Sequence, residues 1–137
     1  MRSFYQDSAV PTVMAIVNRT PDSFYDHGAT AAEEAALARV DEVVAAGAGI
    51  VDIGGVKAGI GAEVTVAEEI ERVVPTIAKV RERYPDLHIS VDTWRAEVGE
   101  AAINAGANLI NDTWAGHDPE LLEVAGCLLY TSDAADE

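Results

Sequence analysis

Four apolar runs in this chain stop on Asn or Asp, and a helical pattern follows each. They are VMAIVN ending at Asn18, IVD at Asp52, ISVD at Asp92 and LIND at Asn111 and Asp112. In a βα-repeat barrel the functional groups stand where strands end and βα-loops begin. One spacing pattern therefore predicts both an architecture and a rim of candidate site residues.

The predicted order is β-α-β-α-β-α-β-α, an α/β fold. Strand 1 is Val13 to Val17. The following stretch, NRTPDSFYDHGA from Asn18 to Ala29, carries Pro, Gly, Asp22 and Asp26 and reads as a long loop. Thr30 and Glu33 predict a capping box that opens helix 1, with Leu37, Val40 and Val44 on one face and Gly47 at its end. Strand 2 is Ile50 to Ile53. Thr65 and Glu68 form a second capping box; helix 2 follows to about Arg83, with Ile70, Val73, Val74, Ile77 and Val80 as its buried stripe and Pro85 beyond its end. Strand 3 is Ile89 to Val91, helix 3 spans about Arg95 to Ala105 before Gly106, and strand 4 is Leu109 to Ile110. Asp118 as N-cap and Pro119 as first helical residue open helix 4.

The strands are short, apolar and unalternating, as expected where both faces are covered. AAGAGIVD (Ala45 to Asp52) echoes NAGANLIN (Asn104 to Asn111), each a helix end, a glycine and a strand ending polar. The echo favours repeated βα units over a doubly wound sheet. A complete (β/α)₈ TIM barrel takes about 250 residues. The 137 residues here predict its N-terminal (βα)₄ half.

A net charge of −15 argues against electrostatic binding of nucleic acid, which needs basic groups to displace counterions, and against an anionic membrane surface. No apolar run reaches the length of a membrane span, and Met1 to Asp7 lacks a signal pattern. One cysteine excludes an internal disulfide and a cysteine-rich zinc site; a cytoplasmic location is expected. That cysteine opens CLLYTSDAADE, Cys127 to Glu137, which breaks the amphipathic rhythm of helix 4 and resembles the translation of a transposase-derived sequencing adapter. The expected division is a domain over residues 1–126 and a non-native tail over 127–137.

Asp92 and Asn111 end adjacent predicted strands. A carboxylate acceptor beside an amide that both donates and accepts complements an aminopyrimidinone edge; as a structural pair they would only tie two strand ends together. Asp52 precedes Gly54 and Gly55, which suit a tight turn or a close approach to a ligand. Asp22, Asp26 and His27 gather near Asn18 in oxygen-rich surroundings that suit Mg²⁺ bridged to phosphate, or a solvated loop. His88 falls just before strand 3, at the inert end, and His117 in the loop before helix 4. Trp94 and Trp114 each follow a strand end, as packing or stacking residues. Glu33, Glu34, Glu68, Glu69 and Glu71 read as solvated helix surface.

MAIVNRTPDSFYDHG resembles the first signature of the dihydropteroate synthases. DIGG at Asp52 to Gly55, SVDTW at Ser90 to Trp94 and AGANLIND at Ala105 to Asp112 resemble the next three, in the same order. The resemblance covers Val13 to about Gly126. It implies a pterin-binding barrel that condenses 6-hydroxymethyl-dihydropterin pyrophosphate with 4-aminobenzoate, releasing pyrophosphate with the help of Mg²⁺, in folate synthesis. It implies metal or pyrophosphate at Asn18, and pterin at Asp92 and Asn111. Asp22, Phe24 and Asp26 would belong to a loop closing over substrate, and Asp52 and Lys57 would stand in the pocket. Members are commonly homodimers.

The family usually continues DIGG with ESTRPG, whereas this chain has VKAGIG, Val56 to Gly61. Ala58 and Gly59 stand where the family has a substrate-contacting Thr and an Arg. Lys57 restores a charge without the bidentate fork. The variant resembles a second, divergent homologue group. Two readings follow, a synthase and a catalytically weak pterin-binding paralogue. The TPDSF loop argues against a third, the methyltetrahydrofolate-binding barrel of corrinoid methyltransferases. Later family contacts lie in the other half-barrel, so 137 residues alone are expected to be inactive.

Overall fold

A computed structural model of the chain describes residues 11–19, 28–56 and 63–134. The elements are β1 (Met14–Asn18), α1 (Gly28–Ala45), β2 (Ile50–Gly54), α2 (Val66–Arg83), β3 (His88–Asp92), α3 (Ala96–Ala105), β4 (Leu109–Asn111) and α4 (Glu120–Ala134). The strands form one parallel sheet in the order β1-β2-β3-β4. The order never reverses, as it would in a doubly wound sheet. The arrangement is the (βα)₄ half-barrel the repeats predict.

Successive strand residues point to opposite faces. Val17, Val51, Ile53, Ile89 and Val91 share one core with Ala36, Val40 and Val43 of α1, Val73, Ile77 and Val80 of α2, and Val98 and Ala102 of α3. Each of the buried Val and Ile side chains contributes roughly 1.5–3 kcal/mol by leaving water. The other face carries Met14, Ile16, Asp52, Ser90, Asp92 and Asn111. The expectation that both faces are covered fails at β1, where Ile16 is 63% exposed. The helices cover one face only, and closing a barrel is what would bury the other.

The capping box at Thr65 and Glu68 forms as expected. The one proposed at Thr30 and Glu33 does not open α1, which already begins at Gly28; Glu33 pairs with Lys79 of α2 instead. Inter-helix attraction has taken the carboxylate that local capping would have used. Beyond α1, Gly47 has φ +102°, and its N–H and that of Ala48 close onto the carbonyls of Val44 and Val43.

Asp118 caps two helices. Its Oδ1 accepts from Glu120 N at 3.1 Å, as expected for α4, and its Oδ2 accepts from Ala96 N at 2.8 Å at the start of α3. Helix α4 runs through Cys127 to Ala134, so the change of rhythm at Cys127 does not end it.

At the opposite end of the sheet, the Arg81 guanidinium donates to the carbonyls of Gly106, Tyr84, Pro85 and Leu87. It ties the ends of α2 and α3 to the entrance of β3. His88 is the first residue of β3, at the far end from Asp92, as expected.

Candidate functional site

Parallel register places Asn18 opposite Gly54, Gly54 opposite Asp92, and Asp92 opposite Asn111. Four strand ends thus form one row across the sheet, and alternation turns their side chains away from the helices. The Asp92 side chain lies over Gly54 of β2, where a Cβ would meet it at ordinary contact distances, 3.4 Å from Asp92 Cβ and 3.5 Å from its Oδ2. Gly55, the second glycine, lies against Glu69 and Val73 of α2, and its carbonyl accepts from Arg72 at 2.8 Å. Its closeness serves helix packing.

Asp52 sits one pleat below the row and is 3% exposed. Its Oδ2 accepts from Asn111 Nδ2 at 3.0 Å, reaching across β3. Its Oδ1 is buried and has no hydrogen-bond partner among the described residues. Burial raises the Asp92 carboxyl above its ordinary range, and the negative charges of Asp52, Glu69 and Asp112 raise it further. The row therefore concentrates hydrogen-bond acceptors.

Glu69 corrects the reading of the acidic residues as solvated surface. It is fully buried; its Oε1 accepts from Thr93 Oγ1 at 2.8 Å and its Oε2 from Arg95 Nη1 at 2.9 Å. Arg95 also donates to the Val64 carbonyl at 2.7 Å and lies over the Trp94 ring at 4.7 Å. The start of α2 is thereby joined to the residues that follow Asp92. The signal was present: Glu69 shares the helical stripe of Val73, Thr76, Ile77 and Val80.

Trp94 and Trp114 meet with ring centroids 5.4 Å apart, and His117 stands edge-on to Trp114. The loop carrying Trp114 is folded by Asp112, which accepts from the N–H groups of Trp114 and Gly116. Within it Ala115 adopts φ 51°, a left-handed conformation that costs a non-glycine residue energy. At the first strand end Arg19 N donates to the Gly54 carbonyl at 2.7 Å, and the Arg19 side chain is buried.

Of the sequence-predicted residues, the structure brings together Asp52, Asp92 and Asn111, with Asn18 exposed in the same row. Asp22, Phe24, Asp26, His27, Lys57, Ala58 and Gly59 lie outside the described residues. Among the described residues no group of three or more His, Cys, Asp or Glu could hold a metal. Asn18 offers a single amide oxygen. That fits a Mg²⁺ ion whose other ligands are water and substrate phosphate, and no all-protein cage.

Half of a parallel βα-barrel with a polar row at its strand ends defines the class. Residues 14–128 match the family model of the pterin binding enzymes, and the chain belongs to that family. It is 61% identical over 113 residues to "Inactive dihydropteroate synthase 2" of Mycobacterium leprae, covering 82% of this chain and 39% of the relative. It is 43% identical to the dihydropteroate synthase of Streptococcus pyogenes over 115 residues, covering 82% of the chain and 43% of the relative. Its fold superimposes with a TM-score of 0.77 on Xanthomonas albilineans dihydropteroate synthase with 4-aminobenzoic acid, at 44% identity, covering 86% of this chain and 43% of that one. The chain corresponds to the N-terminal half of these barrels and spans well under half the length of its relatives. No described helix is long and apolar enough to cross a membrane.

Proposed function

We propose that this chain supplies the pterin-holding half of a dihydropteroate synthase-type barrel. The observation that carries the proposal is the register that sets Asp92 beside Asn111 at the strand ends, with Asp52 behind them. A 2-amino-4-oxopyrimidine ring offers an amino group and a ring N–H on one edge. Asp92 would accept from both, and that pairing would relieve the burial of its carboxylate. Asn111 would meet the neighbouring position. Asn18 would face the pyrophosphate group, with Mg²⁺ offsetting the charge of the leaving pyrophosphate when bound. In the complete reaction 4-aminobenzoate displaces that pyrophosphate to give dihydropteroate.

The likeness to relatives named inactive, together with VKAGIG in place of the usual loop, favours pterin binding with weak or no turnover over full synthase activity. Binding is tested by titrating 6-hydroxymethylpterin while following the emission of Trp94 and Trp114, which lie just beyond the two pterin-holding strand ends. Saturable quenching that weakens at least about tenfold in Asp92→Ala is expected, since a charge-assisted hydrogen bond is worth about 1.5–3 kcal/mol. Unsaturable quenching would overturn the binding reading. Pyrophosphate release from the dihydropterin pyrophosphate and 4-aminobenzoate by the full-length protein then separates synthase from paralogue.

A further inference from the structure

We infer that Asp52 is a positioning residue: it locks the Asn111 amide with its nitrogen turned inward, so that the Asn111 carbonyl oxygen stands at the rim beside Asp92 and selects ligands with a donor-rich edge. The inference rests on the pterin-binding reading above and adds to it a determinant of specificity.

The geometry gives the direction of the amide. Asn111 Nδ2 donates to Asp52 Oδ2 at 3.0 Å, so the nitrogen side of the amide is turned inward, toward β2. Asp52 is 3% exposed and part of the β2 strand, which is buried along its whole length. It cannot swing toward solvent without breaking the packing of that strand. With Nδ2 held toward Asp52 by one of its two N–H groups, Asn111 Oδ1 is turned the other way, toward the rim. The neighbouring group in the row, Asp92, also accepts, and no donor among the described residues hydrogen-bonds to its carboxyl. The sequence pair Asp92 and Asn111 by itself leaves the amide free to face either way, whereas the third residue, from β2, sets its orientation.

The consequence is selectivity. A 2-amino-4-oxopteridine brings donors to this row. A 2,4-dioxopteridine puts a carbonyl oxygen where the amino group was, opposite an acceptor. A site built to receive a donor rejects an analogue lacking it, because buried polar groups are then left unpaired.

The experiment compares binding of 6-hydroxymethylpterin and its 2,4-dioxo analogue to the wild-type chain, to Asp52→Asn, to Asp52→Leu and to the control Ser90→Ala in the same sheet face. The side-chain amide protons of Asn111 are recorded by NMR without ligand. Wild type and Ser90→Ala are expected to prefer the amino compound. In both Asp52 variants the ratio of the two affinities should fall about tenfold, since the amide becomes free to flip. A general loosening of the fold would weaken both ligands alike and leave the ratio intact, so an unchanged ratio in both variants overturns the inference. The wild-type spectrum decides the same point without any variant: one strongly downfield, slowly exchanging Asn111 proton supports the lock, and two solvent-like protons refute it. If wild type takes neither heterocycle, the pterin reading fails, while the ligand-free spectrum still decides how Asn111 is held.

Discussion

Thr93 Oγ1 donates to Glu69 Oε1 at 2.8 Å, joining the residue after Asp92 to the first turns of α2 in the protein interior. The other oxygen of the same carboxylate holds Arg95, whose guanidinium lies over Trp94. A helix start, a strand end and an aromatic cluster are thus tied at one buried carboxylate.

Removing that carboxylate leaves the Arg95 charge and the Thr93 hydroxyl without their buried partner. Glu69→Ala is expected to destabilise the fold by about 3–5 kcal/mol, the range for breaking a buried ion pair from one side. Urea unfolding followed by far-UV circular dichroism measures it; a loss below about 1 kcal/mol would mean that water reaches Arg95 freely.

Asp92 carries a pH prediction. Its folded carboxyl binds its proton more tightly than an unfolded aspartate does, because of burial and then the nearby carboxylates. The stability tied to that proton is fully present below the unfolded value and is lost as pH rises through the raised folded value. Asp92→Asn removes the ionisation. The variant should therefore match wild type at about pH 3, below the ordinary aspartate value near 3.9, and melt at a higher temperature than wild type near neutrality. A gap in melting temperature that is the same at both pH values would sink this account.

Arg81→Met strips donors from the carbonyls of Gly106, Tyr84, Pro85 and Leu87. A loss of about 2–4 kcal/mol is expected from several charge-assisted bonds, part of each being recovered by water. Arg81→Lys should recover little of it, since an ammonium cannot reproduce the planar fork. Thermal melts of the two variants side by side provide the check.

Ala115 is held at φ 51° between Trp114 and Gly116. Ala115→Gly should raise stability by about 0.5–1 kcal/mol, the relief of left-handed strain exceeding the added chain entropy. A lower denaturation midpoint for the glycine variant would contradict this.

The loop VKAGIG carries the last prediction. In the full-length protein, Ala58→Thr with Gly59→Arg restores the hydroxyl and guanidinium that the family usually has there. Pyrophosphate release should rise from little or none to a measurable, 4-aminobenzoate-dependent rate. No gain would place the deficit elsewhere in the chain.

Much of the fold was legible because its signals are local. The capping box at Thr65 and Glu68, the stripe of Val73, Ile77 and Val80, and the glycines closing α1 and α3 each act within one or two helical turns. Where the reading failed, a distant partner had intervened. Glu33 was drawn to Lys79 of the next helix, and Glu69 was counted with the surface acids although Thr93 and Arg95 hold it inside.

The sequence by itself determined the alternation of strands and helices, the half-barrel, and which residues end the strands, because hydrophobic periodicity and turn chemistry operate over a few neighbouring residues. It also carried the signatures that mark a pterin-binding family. Only the tertiary structure decided the row of Asn18, Gly54, Asp92 and Asn111, the bond from Asn111 to Asp52 and the burial of Glu69. Asp52 and Asn111 are 59 residues apart in the chain. Strand register and packing against a common layer of helices bring them within hydrogen-bond reach, and neither leaves a mark on the sequence around either residue.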